Sequence, residues 1–132
     1  MAVLLIAEDH KDIRHVHEKL FTSRGYTVLT AADGASALEE ANRQHPDVVV
    51  TDLEMPKVDG LQLCRALRMH PRLRKIPVIM LSGSLRSGDP RTRTAQVCSV
   101  LAQPVTGEAL VEAVEFQLDR GSHGHGVLGS VC

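Results

Sequence analysis

Aromatic side chains are almost missing from this chain: two phenylalanines, one tyrosine and no tryptophan in 132 residues. Stacking platforms for single-stranded nucleic acid need more rings than Phe21, Tyr26 and Phe116 provide. An excess of basic charge is missing too. Fifteen Lys and Arg face sixteen Asp and Glu, a net charge of -1, which excludes a general binder of the nucleic-acid phosphate backbone. No apolar run approaches the length of a membrane span. The start, MAVLLIAEDH, has neither the basic opening nor the cleavage site of a signal peptide, so a cytoplasmic protein is expected. Cysteines number three, and an odd set of this size makes no disulfide framework. Cys64, Cys98 and Cys132 are expected as reduced thiols.

What is present suits one globular domain. Hydrophobic residues make up 43% of the chain, enough for a core without staples at this length. Short runs rich in Val, Ile and Leu recur at Val3–Ala7, Thr27–Ala31, Val48–Asp52, Val78–Ser82 and, more weakly, Ser99–Leu101. Their continuous apolarity, without alternation, predicts strands buried on both faces. Helical periods lie between them. Ile13, Val16, His17, Leu20 and Phe21 form one stripe, closed by Gly25. Ala37, Leu38 and Ala41 form a second, ended by Pro46, and Leu61, Cys64 and Leu67 a third, ended before Pro71. Asp89-Pro90 reads as a cap followed by proline at the first helical position. Leu110, Val111, Val114 and Leu118 form the last stripe. Five strand–helix units in series predict an α/β domain with a parallel sheet and helices on both faces, over residues 1–119. From residue 120 the chain turns glycine-rich and reads as a flexible tail or linker to 132.

Polar residues gather where the strands end: Glu8-Asp9 after the first, Asp52 closing the third, Ser82 closing the fourth, Gln103-Pro104 after the fifth. In an open parallel sheet the strands' carboxyl ends share one edge, where ligands bind. Each residue also has a plain structural use. Asp9 suits a helix cap, Asp52 a turn, Ser82-Gly83-Ser84 another turn. Three carboxylates at one edge repel unless a proton or a cation intervenes, and hard oxygen donors with open positions suit Mg²⁺.

Glu8-Asp9, the segment VVVTDLEMPKVDGLQLCRALR from Val48 to Arg68, and VIMLSGS from Val78 to Ser84 together resemble the receiver domain of two-component response regulators. The resemblance runs from about Val3 to Leu118. It implies a (βα)₅ flavodoxin-like fold with strand order 2-1-3-4-5. It makes Asp52 the phosphoacceptor, Glu8 and Asp9 the acidic pair for Mg²⁺ with Asp9 the more direct ligand, and the Glu54 carbonyl a further ligand. Ser82 becomes the switch hydroxyl. A histidine kinase or phosphotransfer protein is the implied phosphodonor, with an output partner or domain downstream. Two positions depart from the family pattern. Gln103 stands where the family has a lysine, and Val100 where it has Tyr or Phe. A pseudo-receiver that binds partners whatever its phosphorylation state is therefore the alternative. An aspartate-based phosphohydrolase lacks a cap domain here, and a flavin carrier would meet carboxylates where its phosphate must sit.

Three minor features carry expectations of their own. Arg65, Arg68, Arg72, Arg74, Lys75, Arg86, Arg91 and Arg93 read as a solvated basic stretch, from which Arg86, Arg91 or Arg93 could supply the missing cation. His10 and His15 read as solvated. His123 and His125 form a poor metal site.

Overall fold

The computed structural model describes residues 2–85 and 88–122. Five strands and five helices alternate: β1 (Val3–Ala7), α1 (Lys11–Thr22), β2 (Thr27–Ala31), α2 (Gly34–Gln44), β3 (Val48–Asp52), α3 (Gly60–Met69), β4 (Val78–Ser82), α4 (Pro90–Ala95), β5 (Ser99–Ala102) and α5 (Gly107–Ser122). All strand pairs are parallel, in the order 2-1-3-4-5. The expected fold class and strand order are those observed. Arg86 and the stretch from His123 to Cys132, including His125, lie outside the described residues. α5 runs to Ser122, into the glycine-rich stretch expected from residue 120.

Burial on both faces holds for the three central strands only: the edge strands are more open, β2 with one buried residue and β5 with none. β3 and β4 are buried at every position and β1 at four of five. One core layer joins the sheet to α2, α3 and the end of α4, through Ala37, Ala41, Leu63, Leu67 and Ala95. The other joins it to α1 and α5, through Phe21, Leu110, Val111 and Val114. Each fully buried Leu, Ile or Phe contributes about 1.5–3 kcal/mol.

Local chemistry sets the helix boundaries. Asp33 caps α2 by accepting from Ser36 N. Asp59 and Gln62 close a reciprocal capping box on α3. Asp89 accepts from Arg91 N, with Pro90 at the first position of α4. Gly60 has no substitute: a Cβ there would lie 2.3 Å from Asp52 O, because α3 starts directly against the backbone that closes β3.

Three expectations are corrected. The α1 stripe is only partly core: Phe21 is buried, but Ile13 and Val16 are 40% and 62% exposed. α1 begins at the carboxyl edge of the sheet, and Ile13 lines the cleft there instead of covering a strand. Arg68 is no member of a solvated basic face. Its guanidinium donates to the carbonyls of Gln96, Arg74 and Ile76, tying the end of α3 to the end of α4 and the turn before β4. Cys98 is disulfide-bonded, against the expectation of three reduced thiols. Cys64 meets that expectation: it is free and buried, and burial pushes its thiol up to about 11. Among the described residues no helix is long and apolar enough to cross a membrane.

Candidate functional site

Sheet hydrogen bonds at the strand ends position the site. Glu8 N donates to Ala31 O on β2 at 3.0 Å, Leu53 N to Leu81 O on β4 at 2.9 Å, and Gln103 N to Ser82 O at 3.0 Å. The parallel register therefore carries Glu8, Asp52, Ser82 and Gln103 to one edge. A cleft of ≈ 510 Å³ opens there, lined among others by His10, Asp52, Glu54, Ser82 and Gln103.

Glu8 and Asp52 are 1% and 6% exposed. Gln103 Nε2 donates to Asp52 Oδ1 at 3.1 Å, so the amide at the position of the family lysine does reach the acceptor carboxylate. Glu8 Oε2 accepts from His10 N at 2.9 Å and lies 3.1 Å from His10 Nδ1. Arg14 holds the Glu8 carbonyl from α1 at 2.9 Å. Asp9 Oδ1 lies 3.4 Å from His10 Nδ1. Ser82 Oγ accepts from Ser84 N and Leu85 N. It thus forms the expected turn, and it also lies 3.5 Å from Ser84 Oγ, where either hydroxyl can donate. Val100 lies on β5 opposite Met80, outside the cleft lining.

The plain use foreseen for Asp9 fails: α1 is capped by the backbone of His10 instead, with Arg14 N donating to His10 O at 2.9 Å. His10 is solvated as expected, its side chain 67% exposed, yet its ring also reaches the acidic pair, which the sequence reading did not foresee. The signal was three consecutive charge-bearing side chains, Glu8-Asp9-His10, directly after a strand. Arg91, foreseen as a replacement cation, is instead engaged with Asp89 through Nε and Nη2 at 3.1 Å each.

Crowded carboxylates at low exposure cannot all ionise. Burial, the neighbouring Glu8 carboxylate and the charge of Asp9 push Asp52 up to about 8, against a weaker downward pull from Gln103. Burial also pushes Glu8 up, but the hydrogen bonds with Asp52 and with the backbone and ring of His10 prevail, so its pKa falls below the ordinary value. Asp52 thus keeps its proton to a far higher pH than Glu8 does. The Glu8 bond, with the charges of Asp9 and Glu8, raises His10.

Two buried acceptors, Glu8 Oε1 and Asp9 Oδ1, have no hydrogen-bond donor. Buried oxygens left in this way are costly unless a proton or a cation satisfies them. Donor atoms of Glu8, Asp9, His10 and Asp52 lie within 4.8 Å of one another. These residues fit a divalent cation.

The family model described as the response regulator receiver domain matches residues 4–115, and the chain belongs to that family. It is a phosphoacceptor signalling module of the two-component type. Protein PilG of Pseudomonas aeruginosa is 32% identical over 113 residues, 85% of this chain and 84% of that protein. A probable transcriptional regulator, ycf27, of Galdieria sulphuraria is 44% identical over 79 residues, 60% of this chain but 30% of that protein. The chain thus spans under a third of the longer regulator. A putative response regulator from Chloroflexus aurantiacus superposes with TM-score 0.83 at 31% identity, covering 90% of this chain and 98% of the other. The receiver domain of a Pseudomonas aeruginosa sensor histidine kinase, whose structure has a magnesium ion coordinated in the active site cleft, superposes with TM-score 0.78 at 29% identity, covering 87% and 95%.

Proposed function

We propose that Asp52 is the phosphoacceptor of this module. An Asp52 carboxylate oxygen attacks phosphorus in the phosphohistidine of a histidine kinase or phosphotransfer protein. The bond from phosphorus to the imidazole nitrogen breaks, and an acyl phosphate forms on Asp52. Glu8, Asp9, Asp52 and the Glu54 carbonyl would hold Mg²⁺, whose charge would neutralise acceptor and phosphoryl oxygens. Attack requires Asp52 to give up its proton, and a cation among the carboxylates favours that ionised form. Ser82 Oγ donates to one phosphoryl oxygen and Gln103 Nε2 to another. An amide supplies a directed hydrogen bond where a lysine would add charge.

The module catalyses at most its own phosphorylation and dephosphorylation. It acts in the cytoplasm and signals to an output partner or domain through protein contacts. One observation carries this reading: the buried Glu8–Asp52 pair, with donorless oxygens beside it, at the strand edge that Ser82 and Gln103 also reach. Incubation with acetyl phosphate and Mg²⁺ tests it. The intact mass of the wild type should rise by one acid-labile phosphoryl group, and chelation of Mg²⁺ should prevent the rise. A wild type that stays unmodified would overturn the reading.

A further inference from the structure

We propose that His10 is a nitrogen ligand that makes the acidic cleft a site for borderline divalent transition metals, with Co²⁺, Ni²⁺ and Zn²⁺ bound in preference to Mg²⁺. This rests on the reading that the cleft holds a divalent cation, and it adds the selectivity of that site. The ring of His10 serves no structural purpose that would hold it elsewhere. His10 is the N-cap of α1, yet its side chain makes no capping bond. The ring turns back instead, placing Nδ1 3.1 Å from Glu8 Oε2 and 3.4 Å from Asp9 Oδ1. A ring nitrogen of His10 and one oxygen each of Glu8, Asp9 and Asp52 lie within 4.8 Å of one another. An ion with bonds of about 2.0–2.2 Å spans at most roughly 4.4 Å between opposite ligands. The four groups therefore need to close by only a few tenths of an ångström.

Burial supplies the second, independent observation. Glu8 is 1% exposed, and its Oε1 accepts no hydrogen bond. A cation among these groups would satisfy that oxygen. Ligand chemistry then decides which cation. Mg²⁺ prefers an all-oxygen, near-octahedral shell and keeps several waters. Imidazole nitrogen suits zinc, nickel and their neighbours, whose affinities for mixed nitrogen and oxygen sites exceed those of the lighter divalent ions. The exposed ring of His10 can move onto an ion at the loss of one hydrogen bond to Glu8.

The experiment uses the full chain carrying His123→Ala and His125→Ala, so that tail imidazoles do not compete for metal. Calorimetry gives Co²⁺ and Mg²⁺ affinities with His10 present and in the His10→Ala and His10→Gln variants. Proton spectra with Co²⁺ report a hyperfine-shifted, exchangeable ring N–H if the imidazole is a ligand. Loss of His10 should lower the ratio of Co²⁺ to Mg²⁺ affinity by about tenfold or more, as losses of metal-site partners do, and the shifted ring proton should vanish. If both ions bind and neither variant changes the ratio, His10 is no ligand, while the divalent-cation reading stands. If neither ion binds the protein with His10 in place, both readings fall.

Discussion

Replacing Asp52 with Asn should make the protein more stable at neutral and alkaline pH in the absence of divalent metal. The reason lies in the proton that Asp52 keeps. In the unfolded chain its carboxyl ionises near the ordinary 3.8, whereas in the fold it holds its proton up to about 8. Between those values the native state binds the extra proton, so stability falls as pH rises and levels off above the folded value. A displacement of about 4 pH units is worth at most about 5–6 kcal/mol. Glu8, held below its ordinary value, contributes with the opposite sign and offsets part of this. A net gain of about 2–4 kcal/mol for Asp52→Asn at pH 8 follows, shrinking as pH falls and vanishing only well below 3.8, where the wild-type carboxyl is protonated in both states. With a urea dependence of about 2 kcal/mol per molar, the midpoint should move up by about 1–2 M. Urea unfolding followed by circular dichroism from pH 4 to pH 9, in a chelator, measures this directly. Added Mg²⁺ should then stabilise the wild type more than the variant, because it satisfies the ionised pair. An Asp52→Asn protein no more stable than wild type at pH 8, or a wild type whose stability is level from pH 5 to 8, would refute the reasoning.

Three further outcomes are expected. Gln103→Lys should lower the Asp52 pKa by at least about one unit and weaken Mg²⁺ roughly tenfold through like-charge repulsion; equal or tighter Mg²⁺ binding in a metal titration would show that Gln103 is not simply a lost charge. Gly60→Ala should cost about 2 kcal/mol or more, because its Cβ would lie 2.3 Å from Asp52 O; thermal melts that superimpose on wild type would contradict that packing. Binding of a beryllofluoride phosphoryl analogue should shift amides around Asp52 and Ser82 but few across the face of α4, β5 and α5, since Val100 has no ring to exchange between surface and interior. Large shifts across that face in heteronuclear spectra would show that another element carries the switch.

The strands were legible because each is a short run rich in Val, Ile and Leu, buried throughout in β3 and β4 and nearly so in β1, and more open at the edges in β2 and β5; their convergence followed from parallel topology alone. Asp52, Glu8 and Ser82 were legible for the same reason: each sits at the end of such a run. The placement of the His10 ring was not, since it folds back onto residues one and two places earlier. Arg68 shows the opposite failure. Its neighbours Arg65, Arg72 and Arg74 suggested a solvated face, but three backbone carbonyls collect around its guanidinium only once α3, α4 and the intervening turn have packed. Ile13 and Val16 matched the helical period, yet period alone does not say where along a helix the sheet ends. The capping box of Asp59 and Gln62 went unread in the sequence and is shown only by side-chain geometry.

The central claim is that Asp52 accepts the phosphoryl group. Borohydride reduces an aspartyl phosphate to homoserine, so reduction after treatment with acetyl phosphate and Mg²⁺, followed by peptide mapping, reads the acceptor residue by residue. Homoserine at position 52 alone, and none in Asp52→Asn, is the result expected. Homoserine at Glu8's neighbour Asp9 or at any other aspartate, with Asp52 intact, would contradict it.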